Sequence, residues 1–156
     1  MSRTAVVIIA STRAAAGVYP DRTGPVIRSW LVERGFAVTG PLVRADGSEF
    51  GAVLRDAIGA DLVITSGGTG ISPTDTTPEE TAAVLDVQIP GLAAAIRDEG
   101  SDQVPTAVLS RGLAGVAGHT LVVNLPGSTG GVRDGLTVLD LVLDHAIDQI
   151  RGGDHR

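Results

Sequence analysis

The chain has neither cysteine nor lysine among its 156 residues. Without cysteine there is no disulfide, no thiolate nucleophile and no thiolate metal site. Without lysine there is no Schiff base, and only arginine and backbone N–H groups remain to hold anions. Aromatics make up 3% of the chain, so its core must be built from Val, Leu, Ile and Ala. No apolar run approaches the roughly 20 residues of a membrane span. His119, His145 and His155 are far apart and match no metal-ligand spacing. His145 falls in a helical stretch and reads as a surface or boundary residue. No Gly-x-Ser-x-Gly elbow is present, which removes the usual support for a serine hydrolase. The formal charge of −6 makes the chain a poor candidate for non-specific nucleic-acid binding.

What is present centres on residues 65–81, Thr-Ser-Gly-Gly-Thr-Gly-Ile-Ser-Pro-Thr-Asp-Thr-Thr-Pro-Glu-Glu-Thr. An apolar run of strand type precedes it. A helix start follows, with Thr77 as N-cap, Pro78 at the first helical position and Glu80 completing a capping box. Glycines here let the backbone approach a ligand and turn N–H groups towards it, which suits phosphate. No lysine follows the glycines, so this is not a Walker A loop. The Gly-x-Gly-x-x-Gly dinucleotide spacing is absent too.

The rest of the chain alternates strands with helices. Residues 5–10 are continuously apolar, as in a strand buried on both faces of a parallel sheet. A helix is predicted over 25–34, with Trp30 as core packing and Gly35 as its stop. A strand follows over 36–43. A helix over 48–57 is capped by Ser48. The third strand spans 61–65. The helix from Pro78 breaks at Pro90-Gly91 and resumes to 98. Strands are predicted over 106–109 and 120–123. A final helix carries the stripe Leu136, Leu139, Leu143, Ile147 and Ile150. Together these imply one α/β domain over 1–151, with a largely parallel sheet, helices on both faces and a flexible tail over 152–156. The opening residues run straight into a strand pattern, so no signal peptide is expected and the cytoplasm is the default location.

In a parallel sheet, ligands bind beyond the carboxyl ends of the strands. The loops holding Ser11 to Arg13, Asp46 to Ser48, Ser66 to Asp75 and Pro126 to Ser128 would then share one edge. Two carboxylates, Asp46 and Asp75, would repel a phosphate unless Mg²⁺ lies between them, as Mg²⁺ prefers one or two carboxylates plus phosphate oxygens. Either acid alone also suits a turn or a cap. Arg13 and Arg111 could supply positive charge.

These motifs carry a resemblance over nearly the whole chain. Ser66-Gly67-Gly68-Thr69-Gly70 with Asp75, Thr77-Pro78 and Glu79 resembles the signature of the molybdopterin-binding Mog/MoaB family, which includes the G domain of gephyrin. Asn124-Leu125-Pro126-Gly127-Ser128 resembles its second motif, and Ser11-Thr12-Arg13 with Gly17-Val18-Tyr19 its opening. The resemblance implies a three-layer αβα fold of the molybdopterin-binding-domain type and a homotrimer. It implies a molybdopterin adenylyltransferase of molybdenum cofactor biosynthesis, moving AMP from Mg-ATP to molybdopterin and releasing pyrophosphate. Asp46 and Asp75 would serve catalysis and hold Mg²⁺. Ser66, Gly67, Gly68, Thr69, Gly70, Pro126, Gly127 and Ser128 would hold AMP and phosphate, joined by Ser11, Arg13, Ser110 and Arg111. Contact with a molybdenum insertase is a further implication. The chain departs from the family pattern at Ser66, where Thr is frequent, at Thr12, where Asp is, and at Thr129, where Pro is. A MoaB-like binder with little turnover and a trimeric assembly scaffold are the alternatives, and retention of both acids favours the enzyme.

Overall fold

The structure, a computed structural model, describes residues 2–153. Six strands form one sheet: β1 Thr4–Ala10, β2 Ala37–Arg44, β3 Leu62–Ser66, β4 Val87–Gln88, β5 Ala114–Ala117 and β6 Thr120–Leu125. Their spatial order is β2-β1-β3-β6-β5-β4. The first four of that order are parallel, in a register that sets Ile8 beside Thr65 and Thr65 beside Asn124. β5 runs antiparallel to β6 and β4 antiparallel to β5. The sheet is therefore mixed but mostly parallel. β2 lies at its edge, where Pro41 is tolerated because no further strand needs its missing N–H.

The helices are α1 Thr12–Ala15, α2 Gly24–Glu33, α3 Ser48–Ala57, α4 Thr77–Ala82, α5 Pro90–Ser101 and α6 Thr129–Ile150. They cover both faces because successive strand residues point to opposite sides. Val7 and Ile9 of β1 pack in a cluster with Ile27 and Leu31 of α2, Ile96 of α5, and Leu136 and Leu139 of α6. Ile8 and Ala10 of the same strand pack with Phe50 and Leu54 of α3. The predicted α6 stripe holds: Leu136, Leu139, Leu143 and Ile147 are buried and Ile150 packs at the margin. Trp30 also packs at that margin, with the Arg34 guanidinium 4.0 Å from its ring centroid.

Several local expectations are corrected. Residues 106–109 are not a strand but part of an exposed 3₁₀ turn, Pro105–Leu109. An apolar run becomes a strand only where an edge is open to it, and the place beside β6 is taken by β5. The helix expected to be interrupted at Pro90 is two helices, α4 and α5, separated by β4, with Pro90 opening the second. The cap of α4 falls at Thr76 and no capping box forms. Thr77 instead turns inwards and donates to Gly67 O at 3.0 Å, while Glu80 approaches Arg55 at 4.0 Å. Gly47 rather than Ser48 is the N-cap of α3. The tail expected over 152–156 lies mostly outside the described residues, as does His155. Gly152 and Gly153 close the last turn of α6 on Gln149 O and Asp148 O. Among the described residues no helix is long and apolar enough to cross a membrane.

Candidate active site

Because β2, β1, β3 and β6 are parallel, the segments leaving Arg44, Ala10, Ser66 and Leu125 emerge at one edge of the sheet. Two clefts open there. The first, of about 780 Å³, is lined by Ser11, Arg13, Asp46, Ser66, Gly67 and Asp75, among others. The second, of about 890 Å³, is lined by Thr69, Gly70, Asp75, Ser110, Pro126 and Ser128, among others. Gly68, Asp75 and Gly127 line both, so the clefts meet at the glycine loop.

That loop depends on two positive backbone angles, φ 94° at Gly67 and 68° at Gly68. A Cβ on Gly67 would collide with Ala10 O. One on Gly68 would collide with Thr77 Oγ1 and come within 2.8 Å of Asp46 Oδ1. The loop is thus folded tightly against its neighbours by residues with no side chain. The N–H of Gly67 is spent on Leu125 O at 3.1 Å. The N–H groups of Gly68, Thr69, Gly70, Gly127 and Ser128 take no acceptor among the described residues. They form the donor set that an anion requires.

The hydroxyls expected at the site are largely committed to building it. Ser11 caps α1, its Oγ accepting the Ala14 N–H at 3.1 Å. Ser66 is fully buried, its Oγ 2.7 Å from Pro126 O and 3.0 Å from Thr23 Oγ1. Ser110 Oγ donates to Thr69 Oγ1 at 3.2 Å. Ser128 caps α6 through the Gly131 N–H at 3.1 Å. Asn124, quoted above for its motif alone, proves to be a buried junction. Its amide donates to Thr65 Oγ1 at 2.9 Å and Thr81 Oγ1 at 3.1 Å and accepts the Leu113 N–H at 3.0 Å, tying β3, β6 and α4 beneath the loop.

Arg111 lines neither cleft. Its Nε donates to Gly70 O at 2.8 Å, one terminal nitrogen to Asp75 O at 2.9 Å, and both to the Glu79 carboxylate. The hydrogen bonds to Glu79 raise its pKa above the ordinary guanidinium value. Its backbone N–H reaches Thr69 O at 2.7 Å. It therefore clasps the glycine loop, and its guanidinium is engaged by loop carbonyls and Glu79 where the sequence suggested a substrate anion. Arg13 is exposed on the first cleft, its guanidinium without a partner among the described residues, and Arg22, Tyr19 and Asp21 line the same cleft. Arg133 is exposed on the second, its guanidinium likewise without a partner among the described residues. The sequence reading missed Arg22 and Arg133. In a chain without lysine, arginines in or just beyond the loops that follow the predicted strands were a signal that could have found them.

The two acids both line the first cleft. Asp46 Oδ2 accepts the Thr12 hydroxyl at 3.0 Å, while Asp46 Oδ1 is buried with no partner among the described residues. Asp75 Oδ2 accepts the Ser72 N–H at 3.1 Å. A bare, buried carboxylate oxygen fits a cation ligand, since leaving it unpaired is costly. Among the described residues no group of three or more His, Cys, Asp or Glu could hold a metal ion. A hard divalent cation held here would need oxygen donors beyond these two acids, and phosphate oxygens and water are donors of that kind.

Residues 6–145 match the family model described as "Probable molybdopterin binding domain". The chain is 35% identical to the molybdopterin adenylyltransferase of Helicobacter pylori strain J99, with 94% of this chain and 86% of that protein covered. It is 34% identical to a molybdenum cofactor biosynthesis bifunctional protein of Synechococcus elongatus, over 97% of this chain and 48% of that one. The chain thus spans about half the length of the bifunctional relatives it matches. The solved structure of the molybdopterin biosynthesis Mog protein from Mycobacterium ulcerans superposes with a TM-score of 0.93 at 61% identity, covering 97% of this chain and 99% of that one.

Proposed function

The chain belongs to the molybdopterin-binding-domain family, and on that premise we propose that it is a molybdopterin adenylyltransferase working in molybdenum cofactor biosynthesis. The reading is carried by one observation. Two carboxylates, one with a bare buried oxygen, line a cleft floored by a glycine loop with free N–H donors. Two clefts joined at Gly68, Asp75 and Gly127 suit a reaction of two substrates, one molecule in each, with the reacting groups meeting at the junction.

In this reading the terminal phosphate of molybdopterin attacks the α-phosphorus of ATP. A new P–O bond forms, the bond to the bridging oxygen of the β-phosphate breaks, and pyrophosphate leaves. The chain needs no covalent nucleophile, because positioning and charge neutralisation carry phosphate transfer. The N–H groups of Gly68, Thr69 and Gly70, and those of Gly127 and Ser128, orient the phosphates. Arg13 and Arg22 offset charge on the first cleft and Arg133 on the second. Asp46 and Asp75 would hold Mg²⁺, which when bound supplies the positive charge that lets two acids and a triphosphate share one cleft. Homotrimer formation and contact with a molybdenum insertase belong to the same proposal, and rest on the family resemblance.

Incubation with molybdopterin, ATP and Mg²⁺ should yield adenylated molybdopterin and pyrophosphate, read by chromatography. A folded protein that binds both substrates and makes neither product would leave the binder reading in its place. Sedimentation tests the trimer.

A further inference from the structure

Thr12 is the first residue of α1, in the segment that leaves β1, and it touches Asp46 twice. Its Oγ1 accepts the Asp46 N–H at 3.2 Å and donates to Asp46 Oδ2 at 3.0 Å. A hydroxyl has one proton, and here that proton goes to the carboxylate. Only one of the two carboxylate oxygens is taken. Oδ1 remains buried and unpaired among the described residues, within 2.8 Å of where a Gly68 Cβ would stand. A carboxylate free to rotate would present either oxygen to water, because an unpaired buried oxygen is the costlier arrangement. The Thr12 hydroxyl is the side-chain contact that holds the group in that arrangement.

We propose that Thr12 is a positioning residue. Its hydroxyl sets the rotation of the Asp46 carboxylate so that Oδ1 stays bare towards the glycine loop, ready for the divalent cation that accompanies the nucleotide. Thr12 acts only through Asp46. Being neutral, it orients a carboxylate without placing another negative charge beside a triphosphate. The same pair of bonds pins the loop after β1 to the loop after β2. The inference rests on the reading of Asp46 as a magnesium ligand.

The test is calorimetric titration of ATP, with and without Mg²⁺, into the wild type and the Thr12→Val, Thr12→Ser, Asp46→Asn and Thr12→Val/Asp46→Asn variants, with thermal melting of each. Thr12→Val keeps the shape and loses the hydroxyl. It should lose about tenfold or more of the tightening that Mg²⁺ brings, the scale seen when a partner of a metal ligand is removed. Its metal-free ATP affinity should change less than about twofold. Thr12→Ser should behave as wild type, and in the Asp46→Asn background Thr12→Val should add nothing. Full magnesium linkage in a folded Thr12→Val variant overturns the inference alone. An equal loss of metal-free affinity overturns it by making Thr12 a direct ligand. A loss that persists in the Asp46→Asn background overturns it as well. If Mg²⁺ fails to tighten ATP on the wild type, this inference and the magnesium reading fall together, and product formation then decides AMP transfer separately.

Discussion

Asp46 and Asp75 line the same cleft and are held in different ways. Asp46 is steadied by a single neutral hydroxyl from the neighbouring strand's loop, and one of its oxygens is left bare. Asp75 sits in a turn of its own making, its carboxylate on the Ser72 N–H and its N–H on Ser72 O at 3.0 Å. Arg111, itself held by the Glu79 carboxylate, then grips the backbone at Asp75 O. The first acid is placed by side-chain orientation and the second by loop shape. A site that needs charge at two points can place one by rotating a side chain and the other by fixing a backbone, and the two should fail differently.

The largest effect should come from Asp75→Asn. The change keeps the turn and removes the charge where the clefts meet. AMP transfer should fall by about 10³-fold, the scale of losing one well-aimed electrostatic contact, with melting little changed. Near-normal turnover in a steady-state assay would remove Asp75 from the chemistry. Gly68→Val would disturb both acids at once, because its side chain would press on Thr77 Oγ1 and on Asp46 Oδ1. Calorimetry should show ATP binding weakened about 100-fold, against a fold destabilised by only about 1–3 kcal/mol through its strained φ. Unchanged affinity would reduce the loop to a turn.

The Asp46→Asn/Asp75→Asn variant erases the comparison altogether. With both charges gone, ATP should bind with less than about twofold dependence on Mg²⁺, and more tightly than to metal-free wild type, because the repulsion has been removed. Retention of the full Mg²⁺ dependence would place the metal elsewhere. The smallest effect sharpens the backbone half of the contrast. Arg111→Gln and Glu79→Gln should each lower kcat by about tenfold or less through misplacement of Asp75, leaving KM for ATP nearly constant. A rise in KM confined to Arg111→Gln would return that arginine to the substrate.

The legible part of this fold was its parallel half. β1, β3 and β6 are buried on both faces, so they appear as unbroken runs of Val, Ile and Leu, and the structure moves their ends by one or two residues. β5, with the sequence Ala-Gly-Val-Ala, and the two-residue β4 carry no such signal. β5 is a strand because β6 offers an edge on which to pair, and β4 because β5 then offers one in turn. The run at 106–109 looked the more strand-like of the candidates and became a turn because it found no edge.

The site divides along the same line. Residue types alone determined that this chain would have a glycine loop after a buried strand, two acids in neighbouring loops and arginine as its sole strong cation. Those are local properties, set by backbone freedom, burial and charge, and parallel topology brings them to one edge. The tertiary structure decided which groups are spent and which are free. Arg111 is spent on two loop carbonyls, Gly70 O and Asp75 O, and on Glu79. Ser11, Ser66 and Ser128 brace backbone. Asp46 keeps an oxygen bare because Thr12, distant in sequence, happens to take the other. Hydrogen bonds between loops depend on distances and directions that arise only once the strands have paired.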